Sequence, residues 1–131
     1  MTYLVVGGGG REHTIIRKLK ESPDVEKIYC TPGNGGISKD AEVFDVAATD
    51  IDGVVALAQK LKVDCVFVAP DDPLVAGMVD ALTEQGIRAF GPNKKAAIIE
   101  GSKVFSKELM KKYGIPSAAY EVFNDPNAAL E

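Results

Sequence analysis

The stretch LVVGGGGREHTII, residues 4–16, gives the clearest indication of the fold. Its apolar start is typical of a short strand buried on both faces; glycines follow, and then a segment whose apolar residues have helical spacing. Glycines let the backbone approach a ligand closely, and a helix start directs unpaired N–H groups and positive dipole at an anion. The stretch therefore predicts a βα unit with a phosphate site in its turn, although a tightly packed turn is the alternative.

Strand-like and helix-like segments alternate through the next part of the chain. Strands are predicted at residues 3–6, 27–30, 43–47, 64–69 and 88–90, and helices at Gly10–Glu21, at Ile51–Leu61 and from Leu74 to Leu82 with Gly86 closing the last. Such alternation is typical of a parallel sheet with right-handed crossovers and helices on both faces. The predicted fold class is therefore α/β, a doubly wound, Rossmann-like parallel sheet.

After Pro92 the pattern changes to helix alone. The helical segment NKKAAIIEGSKVFSKELMKKYG is interrupted at Gly101 and Ser102, and the serine is predicted to cap the second helix. AAYEVF at 118–123 then predicts a new strand, and NDPNAALE at 124–131 predicts a helix that is only begun. We interpret the sequence as a fragment with three parts: a substrate-binding domain at 1–92, a helical connector at 93–116 and the opening of a second domain at 117–131.

Composition excludes several classes of function. The formal net charge is −4 and the pI is near 5.0, without a basic stripe, which argues against a nucleic-acid-binding surface. No apolar run approaches the roughly 20 residues of a membrane span. Cys30 and Cys65 fall within apolar strands, which favours buried thiols over a disulfide, a metal site or a nucleophile. These observations together predict a cytoplasmic protein.

The glycines do not match the dinucleotide-binding pattern G-x-G-x-x-G. Starting the pattern at Gly7 places Glu12 at the third glycine, and starting it at Gly8 places His13 there. The second strand is also followed by Thr31 rather than by the acidic residue that binds an adenosine ribose. A single phosphate group therefore fits better than a pyrophosphate bridge.

Further motifs accompany the glycines. VVGGGGREH, PGNGG, DPLVAG, FGPNKKAA and EGSKVFSKELMKKYGIP occur in an order and spacing that resembles the amino-terminal domain of the phosphoribosylamine–glycine ligase family, within the ATP-grasp superfamily. The resemblance runs across nearly the whole chain. It implies a pre-ATP-grasp domain followed by the start of an ATP-grasp domain. It also implies a reaction in which ATP activates glycine as glycyl phosphate and the amine of 5-phosphoribosylamine attacks it.

The resemblance also implies the cofactors and partners. ATP with Mg²⁺ or Mn²⁺ would serve the full-length enzyme and would be bound mostly by residues outside this sequence. The fragment alone is thus expected to be inactive, with no catalytic or metal-binding residue of its own. The expected partners are the small-molecule substrates 5-phosphoribosylamine, glycine and ATP and the rest of the same polypeptide, with no nucleic acid and no membrane.

The resemblance assigns the glycine loop to the 5-phosphate of the amine substrate. The expected site residues are Gly8, Gly9, Gly10, Arg11 and Glu12. The N–H groups of all but Gly8 are the expected donors, with the Arg11 side chain as a second contact. Asn34, in PGNGG, either presents its amide to phosphate or ribose or only adopts a left-handed turn.

Polar residues outside the glycine loop carry predictions of their own. Asp71 is placed to accept from ribose hydroxyls, yet Ala69-Pro70-Asp71 stands where the family usually has Gly-Pro-Glu, so the contact is unchanged, weaker or moved to Asp72. Both acids would also suit the first turn of a helix. Lys103, in EGSK, resembles a family lysine that reaches the nucleotide phosphates, the alternative being a solvated lysine. His13 is predicted to be packed and hydrogen-bonded within the fold.

Two rival classes of function stay open at this point. One is an NAD(P)-binding Rossmann domain of an oxidoreductase. The other is the equivalent domain of another ATP-grasp carboxylase or ligase, such as a biotin carboxylase, or a non-catalytic module that senses nucleotides. Sequence beyond Glu131 would separate them, because a ligase continues into a Gly-rich ATP loop.

Overall fold

A computed structural model describes residues 1–130. Its strands form one sheet in the order β3-β2-β1-β4-β5, and every neighbouring pair is parallel. The strands are β1 (Thr2–Gly7), β2 (Lys27–Pro32), β3 (Glu42–Val43), β4 (Cys65–Val68) and β5 (Ala89–Phe90). The order reverses between β1 and β4, so the predicted doubly wound α/β fold is confirmed.

Helices connect the strands and extend beyond them. They are α1 (Gly10–Leu19), α2 (Ile51–Leu61), α3 (Asp71–Ala76), α4 (Met78–Glu84), α5 (Lys94–Gly101) and α6 (Lys103–Tyr113). The single helix predicted from Leu74 to Leu82 is wrong, because Gly77 takes a φ of +103° that ends α3 and begins α4. Gly86 takes a φ of +73° just after α4, as a glycine that closes a helix does.

The core has one layer on each face of the sheet. Leu4 and Val6 of β1 pack with apolar residues of α2, β4 and α4 on one face. Val5, between them in sequence, points to the other face, where it packs with Ile16 of α1 and Cys30 of β2. This alternation follows from the two-residue period of a strand. The prediction that helices cover both faces of the sheet is confirmed at β1 and β2. At β5 one face is open to solvent, because Phe90 is 61% exposed.

The third strand is shorter than predicted. Residues 43–47 were expected to be strand, whereas β3 ends at Val43. One more backbone hydrogen bond follows, from the Phe44 N–H to the Cys30 carbonyl oxygen at 2.9 Å. The side chain of Thr31 then takes the place of the ladder: its Oγ1 lies 2.7 Å from the carbonyl oxygen of Val46 and accepts from the Val46 N–H at 3.1 Å. The segment stays close to β2 without regular strand pairing.

The two last helices meet at the predicted break. The Ser102 hydroxyl accepts from the Phe105 N–H at 3.2 Å, which confirms the serine as the N-cap of α6. A Cβ at Gly101 would lie 2.5 Å from Cγ2 of Val75, so this glycine permits close packing of α5 on α3.

The elements predicted after α6 are wrong over the described residues. The segment 118–123 is not a strand, and 124–130 forms turns in which the Asn127 N–H donates to Asp125. Residues 114–130 are all exposed, and the sheet ends at β3 and β5 without pairing with them. A strand needs a hydrogen-bonded neighbour, and this segment has none in the described part of the chain. Glu131, the end of the predicted helix, lies outside the described residues.

Within residues 1–130, none of the helices has both the length and the apolar character that crossing a membrane requires. Cys30 is buried and Cys65 is half-buried, and neither forms a disulfide. Burial, with the Glu12 carboxylate nearby, raises the pKa of the Cys30 thiol to about 11. Burial also raises the pKa of the Cys65 thiol. The prediction of buried thiols is confirmed for Cys30 and holds in part for Cys65.

Candidate functional site: a cleft at the glycine turn

A cleft of about 550 Å³ opens where β1 and β4 end. One wall is the turn from β1 into α1, and the other is the turn from β4 into α3. The lining residues are Gly8, Gly9, Gly10, Arg11, Glu12, Pro70, Asp71 and Asp72. The fold thus brings together all but two of the predicted binding residues, at the sheet edge where ligands bind in open α/β folds.

Contacts within the protein account for three of the four glycines, although at Gly9 the contact is only with the end of one side chain. Gly7 has a φ of +127°, and a Cβ there would lie 2.5 Å from Cγ of Glu12. A Cβ at Gly8 would lie 2.6 Å from the Gly33 carbonyl oxygen, and one at Gly9 would lie 2.7 Å from Oε2 of Glu12. The tight-packing alternative therefore explains these three positions.

Gly10 differs from the other three glycines. A Cβ at this position would meet no described atom within 4 Å, and the residue lines the cleft. The protein itself therefore leaves space beside the first residue of α1. This is the position where a bound group, rather than packing, would exclude a side chain.

The backbone donors at the start of α1 divide into two sets. The Gly9 N–H donates to the Glu12 carboxylate at 2.5 Å, so it is already occupied. The N–H groups of Gly10, Arg11 and Glu12 lie in the first turn, where no helical acceptor exists, and no other acceptor within residues 1–130 receives them. The start of α1 thus presents three donors and the positive end of the helix dipole.

Charged side chains face each other across the cleft. Arg11 Nη1 lies 3.9 Å from Asp71 Oδ1, and both side chains are exposed. A pair at this distance in solvent contributes about 0–1 kcal/mol to stability. Both groups can therefore be redirected to a ligand at little cost, the guanidinium to an anion and the carboxylate to hydroxyl groups.

Comparison with known proteins defines the family. The model of the family described as phosphoribosylglycinamide synthetase, N domain, matches residues 1–100. The chain belongs to this family. It is 48% identical over 131 residues to a phosphoribosylamine–glycine ligase of Caldanaerobacter subterraneus subsp. tengcongensis, covering 100% of this chain and 31% of that relative. The chain thus spans about a third of the length of the curated relatives it matches.

Solved structures agree with the fold of this N domain. A phosphoribosylamine–glycine ligase from Thermotoga maritima superposes with a TM-score of 0.62 at 28% identity, covering 92% of this chain and 27% of that one. The biotin carboxylase domain of a thermophilic 2-oxoglutarate carboxylase gives a TM-score of 0.69 at 20% identity, covering 98% and 32%. The second likeness shows a shared fold alone.

Two predicted residues of the N domain lie outside the cleft lining. Asn34 donates from Nδ2 to the Gly8 carbonyl oxygen at 2.7 Å, and its Oδ1 accepts from the Gly36 N–H at 2.7 Å and the Ile37 N–H at 2.9 Å. The alternative of a left-handed Asn34 is wrong. Asn34 does not have a positive φ, and the preceding residue, Gly33, has one of +65°. Lys103 is exposed at the start of α6.

His13 of the N domain is hydrogen-bonded within the fold, as predicted. Its Nε2 lies 2.8 Å from Asp40 Oδ2, and Lys20 donates to Asp40 Oδ1 at 2.7 Å. These bonds hold the far end of the loop after β2 against α1. Hydrogen bonds from Lys20 and then His13 lower the pKa of the Asp40 carboxyl to about 2.

The Asp40 contacts predict a specific acid dependence. Because the folded-state pKa, about 2, is below the ordinary value of 3.8, the ionised carboxylate stabilises the fold above about pH 4. This stabilisation is lost as the pH falls toward 2. We expect the free energy of unfolding of Asp40→Asn to fall less than that of the wild type over this pH range. Urea unfolding at each pH measures the difference. Asp24→Asn, at an exposed aspartate, should show the same pH dependence of unfolding free energy as the wild type. An equal pH dependence in the wild type and Asp40→Asn would contradict the stabilising role of the Asp40 carboxylate.

Sequence reasoning missed two of these contacts. The Glu12 carboxylate was not identified as the partner of Gly9, although a glutamate three residues after an N-cap position is a known capping signal. The pairing of His13 with Asp40 joins residues 27 positions apart, and no local pattern indicates it.

Proposed function

We propose that this chain is the amino-terminal, phosphoribosyl-binding part of an ATP-dependent phosphoribosylamine–glycine ligase of de novo purine biosynthesis. The proposal rests on family membership together with one observation. Free N–H donors, an arginine and a carboxylate line a single cleft at the end of β1. Phosphate and ribose hydroxyls are the groups that such a set would bind.

The substrate would lie along the cleft from α1 to α3. Its 5-phosphate would accept from the N–H groups of Gly10, Arg11 and Glu12 and from the Arg11 guanidinium. The Asp71 carboxylate would accept from ribose hydroxyls, with Asp72 beside it in the same lining. Hydrogen bonds to charged groups contribute about 1.5–3 kcal/mol each, so a few of them suffice for micromolar binding. In this arrangement Gly8 and Gly9 shape the loop, and Gly9 does not donate to the ligand.

ATP and Mg²⁺ would be held by other parts of the full-length enzyme. Residues 1–130 contain no group of three or more His, Cys, Asp or Glu side chains suited to a metal ion. Lys103 is the residue of this chain that we propose to reach the nucleotide phosphates, since it is exposed at the start of a helix. When bound, ATP would supply the phosphoryl group that activates glycine. This chain would hold the phosphoribosylamine whose amine attacks it, and glycine would be the second small-molecule substrate.

We also propose the domain division at 1–92, 93–116 and 117–131. Among the described residues the last buried side chain is Ala97, and those after it are exposed or half-buried. Exposed apolar residues of this region include Ile99, Tyr113 and Ile115. The rest of the polypeptide is thus the expected partner. The free thiols of Cys30 and Cys65 suit a reducing compartment, and we propose the cytoplasm.

Titration of the ¹⁵N-labelled chain tests the proposal directly. Glycinamide ribonucleotide, the stable product, and ribose 5-phosphate should both shift the amide signals of Gly10 and Arg11, whereas ribose without phosphate should shift them little. NADH is the control for the oxidoreductase alternative and should leave them unchanged. Shifts confined to another surface, or a response to NADH alone, would contradict the proposed function.

A further inference from the structure

The peptide unit between Gly8 and Gly9 is held at both ends by side chains. Its carbonyl oxygen accepts from Asn34 Nδ2 at 2.7 Å, and its N–H donates to Glu12 Oε2 at 2.5 Å. Because a peptide unit is planar, these two hydrogen bonds on opposite edges fix its orientation. The two side chains come from different elements, the loop after β2 and the first turn of α1.

The orientation of the Asn34 amide follows from its partners. Oδ1 faces the N–H groups of Gly36 and Ile37, and Nδ2 faces the carbonyl oxygen of Gly8. Exchanging oxygen and nitrogen would place NH₂ against two donors and oxygen against a carbonyl, losing all three hydrogen bonds. Both lone-pair positions of Oδ1 are used and one N–H of Nδ2 donates to Gly8, so the second N–H of Nδ2 is the one group of this side chain left for a ligand.

A glycine-rich turn needs such restraint. Glycine adopts positive and negative φ with similar ease, so the unit between Gly8 and Gly9 can rotate with little steric opposition. Rotation of this peptide unit by half a turn would point the Gly8 carbonyl oxygen at the Glu12 carboxylate. The buried Glu12 side chain would then lose the hydrogen bond that it accepts from the Gly9 N–H. The Glu12 carboxylate would be buried without that hydrogen bond, and its oxygens would compete with a bound anion for the N–H groups at the start of α1.

We propose that Asn34 and Glu12 are positioning residues that lock the Gly8–Gly9 peptide plane, and that Asn34 acts on phosphate binding through this lock. The inference rests on the proposed function for its effect on affinity. The loop that carries Asn34 is itself fixed at both ends. The Gly33 N–H donates to the Gly7 carbonyl oxygen at 3.2 Å, and Asp40 pairs with His13 at 2.8 Å.

Asn34→Asp is the sharpest test, because a carboxylate still accepts from Gly36 and Ile37 but cannot donate to Gly8. We expect two results from the ¹⁵N,¹³C-labelled chain: changed signals for the Gly8 carbonyl carbon and Gly9 amide, and an affinity for ribose 5-phosphate lowered about tenfold. Ser38→Ala is the matched control. It removes a 3.0 Å hydrogen bond to Gly35 inside the same loop and should change neither result.

Other variants keep the test decisive. If Asn34→Asp does not fold, Asn34→Ala removes the same donor without adding charge, and Glu12→Gln weakens the opposite edge of the plane. Lower affinity of the uncharged Asn34→Ala variant with unchanged Gly8 and Gly9 signals would mean a direct contact from Asn34 and would overturn the inference, as would wild-type affinity. If the wild type does not bind ribose 5-phosphate, the proposed function fails, and the lock is judged by the Gly8 and Gly9 signals alone.

Discussion

Gly7→Ala is expected to lower the free energy of unfolding by about 3 kcal/mol. Two effects contribute. A φ of +127° is a conformation that only glycine adopts without strain, and the new Cβ would lie 2.5 Å from Cγ of Glu12. Glu12 is buried, with Pro70 against the same position, so it cannot simply move into solvent. Its displacement would also break the hydrogen bond from Gly9.

Urea unfolding followed by circular dichroism measures this effect. Gly10→Ala is the matched control, since a Cβ there meets no described atom within 4 Å and the residue begins a helix. Its unfolding free energy should stay within about 1 kcal/mol of wild type. Equal stability of Gly7→Ala and Gly10→Ala would show that packing does not distinguish these two glycines.

Arg11→Met is expected to weaken binding of ribose 5-phosphate by roughly 10- to 150-fold, the loss of about 1.5–3 kcal/mol from charge-assisted hydrogen bonds. Methionine keeps the aliphatic length of the side chain and the backbone N–H. The stability of the fold should change little, because Arg11 is exposed and lies 3.9 Å from Asp71. Affinity should also fall with added salt in the wild type and less steeply in the variant.

Calorimetry with ribose 5-phosphate checks this prediction. Arg17→Met, near the far end of the same helix and outside the cleft, removes an equal charge and serves as the control. Similar losses from both variants would indicate a general charge effect. An Arg11→Met affinity within threefold of wild type would leave the phosphate to the backbone donors alone.

The fold and the location of the cleft follow from local patterns in the amino-acid sequence. Strand and helix periods are local properties, so α2 was predicted with the bounds it has, Ile51–Leu61. Parallel strands joined by helices place their carboxyl ends at one edge of the sheet, so the sequence predicts that the glycine turn and Asp71 lie close together. The predicted strand at 118–123 failed for the converse reason, since a strand requires a neighbour that local pattern does not supply.

The role of each residue in the glycine turn depends on contacts between distant parts of the chain. Gly8 is required by the carbonyl of Gly33, and its own carbonyl is held by Asn34, which is 26 positions away. Glu12 turns back to occupy the Gly9 N–H, which removes a donor that the sequence had assigned to phosphate. The spacing of residues along a chain does not show which positions are crowded by other atoms or which backbone N–H groups are already hydrogen-bonded. Both depend on atoms that folding brings together from separate segments.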